Sequence, residues 1–209
     1  MFFQNLINTR IMKTIKSMFN SSNIVQGVDD KKYQMLPGII RVSEAMSTLL
    51  GYCVYITDYC KQDIAYASDN MAGWCVASPE EAKEGGRYVL FNKMTDDDFE
   101  LMKEINDSVM QFWKGRSMSE KAYLSCSVRY DILMGDYFLE QHFRPLAIHE
   151  GSVWLGMTVV RFACRKSRAS ILMNLHESNE YFEYSVESKQ WTPCPPPPEP
   201  TEDEKEWRI

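Results

Sequence analysis

Apolar residues recur at helical spacing through the first twenty positions, at Phe3, Leu6, Ile7, Ile11, Ile15 and Phe19, and predict an amphipathic N-terminal helix. A polar stretch from 20 to 32 follows and reads as a linker, so that 1–35 forms an N-terminal unit. A second helix is expected to open near Pro37, whose missing amide hydrogen is harmless in a first turn, and to stop at Gly51. Its apolar stripe is Ile39, Val42, Met46 and Leu49. The period then shortens. The runs 52–58 and 64–68 are aromatic and β-branched, and the short polar turn between them implies a hairpin. Ser78-Pro79-Glu80-Glu81 is a helix start that Gly85 and Gly86 bring to an end. Thr95-Asp96-Asp97-Asp98 opens a longer helix to about Lys114, with Phe99, Met102, Ile105, Val109 and Phe112 or Trp113 facing inward.

Three longer strand candidates come next, at 124–134, 137–146 and 153–164, joined by short glycine-bearing turns that make an antiparallel meander. In the first, Val128, Tyr130, Ile132 and Met134 alternate with charged or small residues; the third is apolar on both faces, as a central strand should be. Runs 169–175 and 181–186 suggest an additional C-terminal hairpin. After Trp191 a proline-rich segment reads as an extended spacer. The fold class expected is therefore α+β, a curved antiparallel sheet covered by helices.

With 209 residues the chain can hold one well-filled domain plus tails, or at most two small domains, and its net charge of −6 argues mildly against wrapping a phosphate backbone unaided. No apolar run reaches bilayer-spanning length and no secretory pattern opens the chain, so a soluble cytoplasmic protein without membrane contact is expected. Cysteines at 53, 60, 75, 126, 164 and 194 form no CxxC pair and are read as free thiols. No GxSxG elbow, HExxH, EF-hand, GxGxxG or P-loop spacing occurs, and the acidic triplet 96–98 is accounted for by helix capping. No catalytic residue, metal or cofactor is assigned on these grounds. Arg144, Arg161, Arg165, Lys166 and Arg168 read as a solvated rim, with anion or partner contact as the alternative. His142 reads as a strand wall residue; a small-molecule enzyme using it with Asp131 or Glu140 is the alternative reading, and a purely structural interaction module another. A curved sheet under helices can enclose an apolar cavity for an unidentified small molecule. The candidate lining is Tyr55 or Ile56, Trp74, Phe99, Met102, Tyr130, Phe143 and Met157.

The segment Ala67-Ser68-Asp69-Asn70-Met71-Ala72-Gly73-Trp74, followed by Ser78-Pro79-Glu80-Glu81 and Met94-Thr95-Asp96-Asp97-Asp98 before the long helix, resembles the PAS domain pattern over about 36–165. It is similar in particular to the sensor half of LuxR-type transcription regulators of Bacteroides-like bacteria, which carry an additional hairpin, here 166–191, then a linker and a helix-turn-helix. In the tail, 192–209, Pro200-Thr201-Glu202-Asp203-Glu204-Lys205-Glu206 resembles the opening of that DNA-binding domain, with Pro200 and Asp203 departing from its leucine and arginine. The resemblance implies a non-catalytic signal-sensing or dimerising domain, homodimeric, meeting DNA only through a domain that this chain does not contain. Cys75, followed by Val76-Ala77-Ser78, does not match the flavin-binding branch, and the long helix carries no histidine for haem.

Overall fold

A computed structural model of the chain describes residues 15–116, 119–163 and 167–198. Most of the expected N-terminal helix, over 1–14, lies outside the described residues, as do Cys164, Arg165, Lys166 and the tail from 199. The described chain runs through a 3-10 turn (Asp30–Met35), helix α1 (Leu36–Leu50), the hairpin β1 (Cys53–Asp58) and β2 (Asp63–Ala67), and three short helices, α2 (Met71–Trp74), α3 (Pro79–Gly85) and α4 (Val89–Lys93). The long helix α5 (Asp96–Lys114) and the single turn α6 (Glu120–Leu124) lead into β3 (Cys126–Met134), β4 (Tyr137–His149) and β5 (Ser152–Ala163). Strands β6 (Ile171–Leu175), β7 (Glu180–Ser185) and β8 (Gln190–Cys194) finish the described fold.

These strands form one open antiparallel sheet in the order β2-β1-β5-β4-β3-β6-β7-β8. The molecule is α+β, its sheet partly covered by helices. β1 and β5 lie in the interior of the sheet, and every residue of β1 is buried, which explains why neither strand alternates in polarity. β3 does alternate: Val128, Tyr130, Ile132 and Met134 are buried under α5. α5 starts where its acids predict, with Thr95 Oγ1 accepting from the Asp98 amide at 3.1 Å, and it buries Phe99, Met102, Ile105, Val109 and Trp113. The Ser78/Glu81 capping box at α3 is also formed. Pro145 is tolerated inside β4 because the strand has already run past its β3 partner there, and the register against β5 shifts just after it.

Three expectations are corrected. α1 exists, and of its expected stripe Ile39 packs against the core and Met46 is half-buried, but Val42 and Leu49 are 61% and 83% exposed and lie off the buried face. The helix instead turns Ser43 and Ser47 to the protein: Ser43 Oγ donates to Met157 Sδ at 3.8 Å and Ser47 Oγ to Asn70 Oδ1 at 3.2 Å. The C-terminal hairpin is a three-stranded extension of the same sheet, because Gln190–Cys194 pairs with β7; the spacer begins later than Trp191. Pro193 fits since β8 is the sheet edge. Finally, the polar stretch after residue 20 packs on the body of the fold, with Asn23 and Val25 buried.

Candidate functional site

A cavity of about 30 Å³ lies between α5 and the sheet face that α5 covers, walled by Met18, Tyr55, Thr57, Tyr59, Met102, Ile105, Asn106, Val109, Val128, Tyr130, Phe143 and Thr158. The strands reach it by alternation: Tyr55 and Thr57 of β1, Val128 and Tyr130 of β3, Phe143 of β4 and Thr158 of β5 share one face. Its volume is that of one water-sized space. Gly156 lets the wall close, because a Cβ there would lie 2.3 Å from Cε2 of Phe143. The Phe143 ring stacks at 6.2 Å on Trp113.

Polar groups interrupt the apolar wall. Tyr59 donates its phenol hydrogen to Asn106 Oδ1 at 2.6 Å, and Tyr55 donates to Gln141 Oε1 at 3.1 Å. Among the described residues, the two amide nitrogens left over, Asn106 Nδ2 and Gln141 Nε2, are buried without a hydrogen-bond partner. Burial pushes the Tyr55 phenol up to about 12 and raises Tyr59 and Tyr130 well above the usual range. All three stay protonated at neutral pH, so the cavity presents neutral hydroxyls and amides and no base.

Of the candidate lining, Tyr55, Met102, Tyr130 and Phe143 meet in this cavity. The others stand elsewhere. Ile56 and Met157 are cross-strand partners on the opposite face, where Met157 receives the Ser43 hydroxyl. Trp74 stacks on Phe162 at 4.4 Å, and Phe99 packs one turn up α5 beneath Lys103. Sequence reasoning missed Met18, Thr57, Tyr59, Asn106 and Thr158, and it read Ile105, Val109 and Val128 only as buried positions of a helix stripe and a strand. Asn106 carried a signal, since it stands four residues after Met102 and seven after Phe99 on α5; Met18 carried none, because nothing local shows that its segment folds back.

His142 has an acid beside it, since its Nε2 bonds to Glu140. The pair lies on the face opposite the cavity, and Glu140 is also held by Arg161, whose Nε donates to it at 2.6 Å. Arg161 is thus tied into the sheet, while Arg168, itself exposed, bonds Asp98 and donates to the Asp131 carbonyl oxygen. Arg144 remains exposed beside His176. The five described cysteines are free, and among the described residues no group of three or more His, Cys, Asp or Glu could hold a metal ion. No described helix is long and apolar enough to cross a membrane.

The residues that carry the family resemblance have structural work in this chain. Asn70 accepts from Ser47 and Ser68 and donates to the Tyr52 carbonyl at 3.1 Å, tying α1, the entry to β1 and the exit of β2 together. Comparison of the chain with protein-family models and with curated proteins finds no match.

Proposed function

We propose that this chain is a non-catalytic sensory domain of a transcription regulator, with a PAS-like core that takes a small neutral molecule between α5 and the sheet. The observation that carries the ligand half is Asn106 Nδ2, a buried donor with no partner among the described residues on a mostly apolar wall. A buried donor left bare is costly, and folds keep few of them. A molecule with an apolar body and one carbonyl or ether oxygen satisfies both features of the wall. The non-catalytic half is supported by the chemistry of the cavity: its phenols are held neutral, and the His142–Glu140 pair faces away from it. The regulatory half is supported by the resemblance over 36–165 and by the tail segment 200–206, together with the order of the elements along the chain, a hairpin, short helices, a long helix and a three-stranded meander.

The test is a nuclear magnetic resonance titration with acetophenone and with ethylbenzene, which has the same body without the oxygen. Acetophenone should shift the Asn106 side-chain amide while that of Gln111, on the exposed face of α5, stays in place. It should bind roughly fivefold more tightly than ethylbenzene, the worth of one hydrogen bond of about 1 kcal/mol. Loss of the ligand reading would follow from an Asn106 amide that neither compound moves.

A further inference from the structure

Residues 15–25 cross the cup from α5 to the far end of β1, and Met18 among them forms part of the cavity wall. Met18 is buried and supplies the part of the wall that belongs neither to α5 nor to β1 and its continuation Tyr59, nor to the strands behind them. One carboxylate holds the segment down. Asp107 Oδ2 accepts from Asn20 Nδ2 at 2.6 Å, and its Oδ1 accepts from Ser22 Oγ and Asn23 Nδ2, each at 2.8 Å. Further attachment comes from Lys114 Nζ, donating to the Ser22 carbonyl at 2.7 Å, and from the Val25 amide, donating to the Tyr59 carbonyl at 3.2 Å.

We infer that residues 15–25 are a displaceable strap, that Met18 is a built-in occupant of the ligand site, and that a small neutral carbonyl compound binds by expelling it. The inference rests on the cavity being the ligand site proposed above. With Met18 in place the space is water-sized, too small for any such molecule, so binding requires a wall residue to leave. Methionine suits a temporary filler, being unbranched, flexible and apolar, while its thioether is too weak an acceptor to satisfy an amide. With the strap seated, Asn106 Nδ2 has no partner among the described residues and only the water-sized space beside it, and a ligand oxygen gains what Met18 cannot offer.

Tyr59 couples the two states. Its hydroxyl holds Asn106, its ring meets Phe19 edge-on at 6.0 Å, and its carbonyl holds Val25. Asp107, the latch, follows Asn106 directly on α5. A ligand that rearranges Tyr59 and Asn106 therefore loosens the strap at both ends, and occupancy of the cavity is converted into release of the N-terminal segment.

The experiment uses the full chain as wild type, Asp107→Asn and Met18→Ala, with acetophenone as the probe and amide hydrogen exchange at Asn23 and Val25 as the readout. Asp107→Asn leaves the cavity wall intact and places an amide nitrogen against that of Asn20, so exchange should rise at least tenfold without ligand. Both variants should bind acetophenone at least fivefold more tightly than wild type, because the strap no longer competes. In wild type, saturating acetophenone should raise Val25 exchange. The inference is overturned, and the ligand site kept, if acetophenone binds all three proteins equally and Val25 exchange does not change. Absence of binding to all three, Met18→Ala included, overturns strap and ligand site together. Should Met18→Ala fail to fold, Asp107→Asn carries the comparison by itself.

Discussion

At the scale of single residues, the cavity is shaped by the close approach of a glycine and a ring. Gly156 sits mid-strand opposite Thr57 and Pro145, and the edge of Phe143 lies over it closer than a side chain would permit. Gly156→Ala must drive the ring off, toward Trp113 or into the cavity, both of which are already filled to within one water. Overpacking of this kind costs about 1–3 kcal/mol. Urea unfolding should show the loss as a lower midpoint at unchanged slope. A change below about 0.5 kcal/mol would mean that the ring moves aside freely, and the wall would not be as rigid as its contacts indicate. A glycine inside a strand signals close approach from the sequence, but what approaches is visible only when β4 is laid beside β5.

At the scale of elements, α1 and α5 show why some helices can be oriented from sequence and others cannot. In α5 the acids, the Thr95 cap and the apolar stripe from Phe99 to Trp113 agree on start, length and buried face. In α1 apolar residues lie on two sides, and a stripe of four drawn through Val42 and Leu49 is as regular as the true face. The contact is decided by Ser43 and Ser47, small hydroxyls that let the helix approach the sheet and that find acceptors in Met157 and Asn70. Leu49→Gln should therefore change stability by less than about 0.5 kcal/mol, whereas Ser43→Leu should cost about 1–3 kcal/mol by overpacking. Thermal unfolding of both variants checks this; equal losses would return Leu49 to the core. The helix α4 escaped the pattern altogether, since five residues are too few to display a period, although Val89, Leu90 and Phe91 are all buried.

At the scale of the whole molecule, the three phenols around the cavity give stability a pH dependence on the alkaline side. Their folded pKa values lie above the unfolded value of about 10, Tyr55 at about 12 and Tyr59 and Tyr130 well above the usual range through burial. The unfolded chain releases these protons first, so the stabilisation is complete below about pH 10 and is lost as pH rises through the folded values. Each phenol steepens the fall by as much as about 1.4 kcal/mol per pH unit. The buried thiols of Cys53, Cys75 and Cys126, also pushed up to about 12, start the fall near pH 9, so urea midpoints should drop from there and more steeply above pH 10, and Tyr55→Phe should remove one phenol from the upper slope. An unchanged slope in that variant would place the Tyr55 hydroxyl in water.

Periodicity and turn chemistry alone determined that this chain makes an antiparallel sheet with a long capped helix over it, because those signals are local and each element carries its own. Four cavity residues were legible for the same reason, as alternation along β1, β3 and β4 and the stripe of α5 point them inward. Tertiary structure alone decided which side of α1 is buried and that β6, β7 and β8 extend the sheet. It also decided that Met18 reaches the cavity and that Asn106 is left without a partner there. Each of these depends on what two distant segments have to offer one another, Ser43 with Met157, Gln190–Cys194 with β7, and residues 15–25 with Asp107, and such complementarity has no period along the chain.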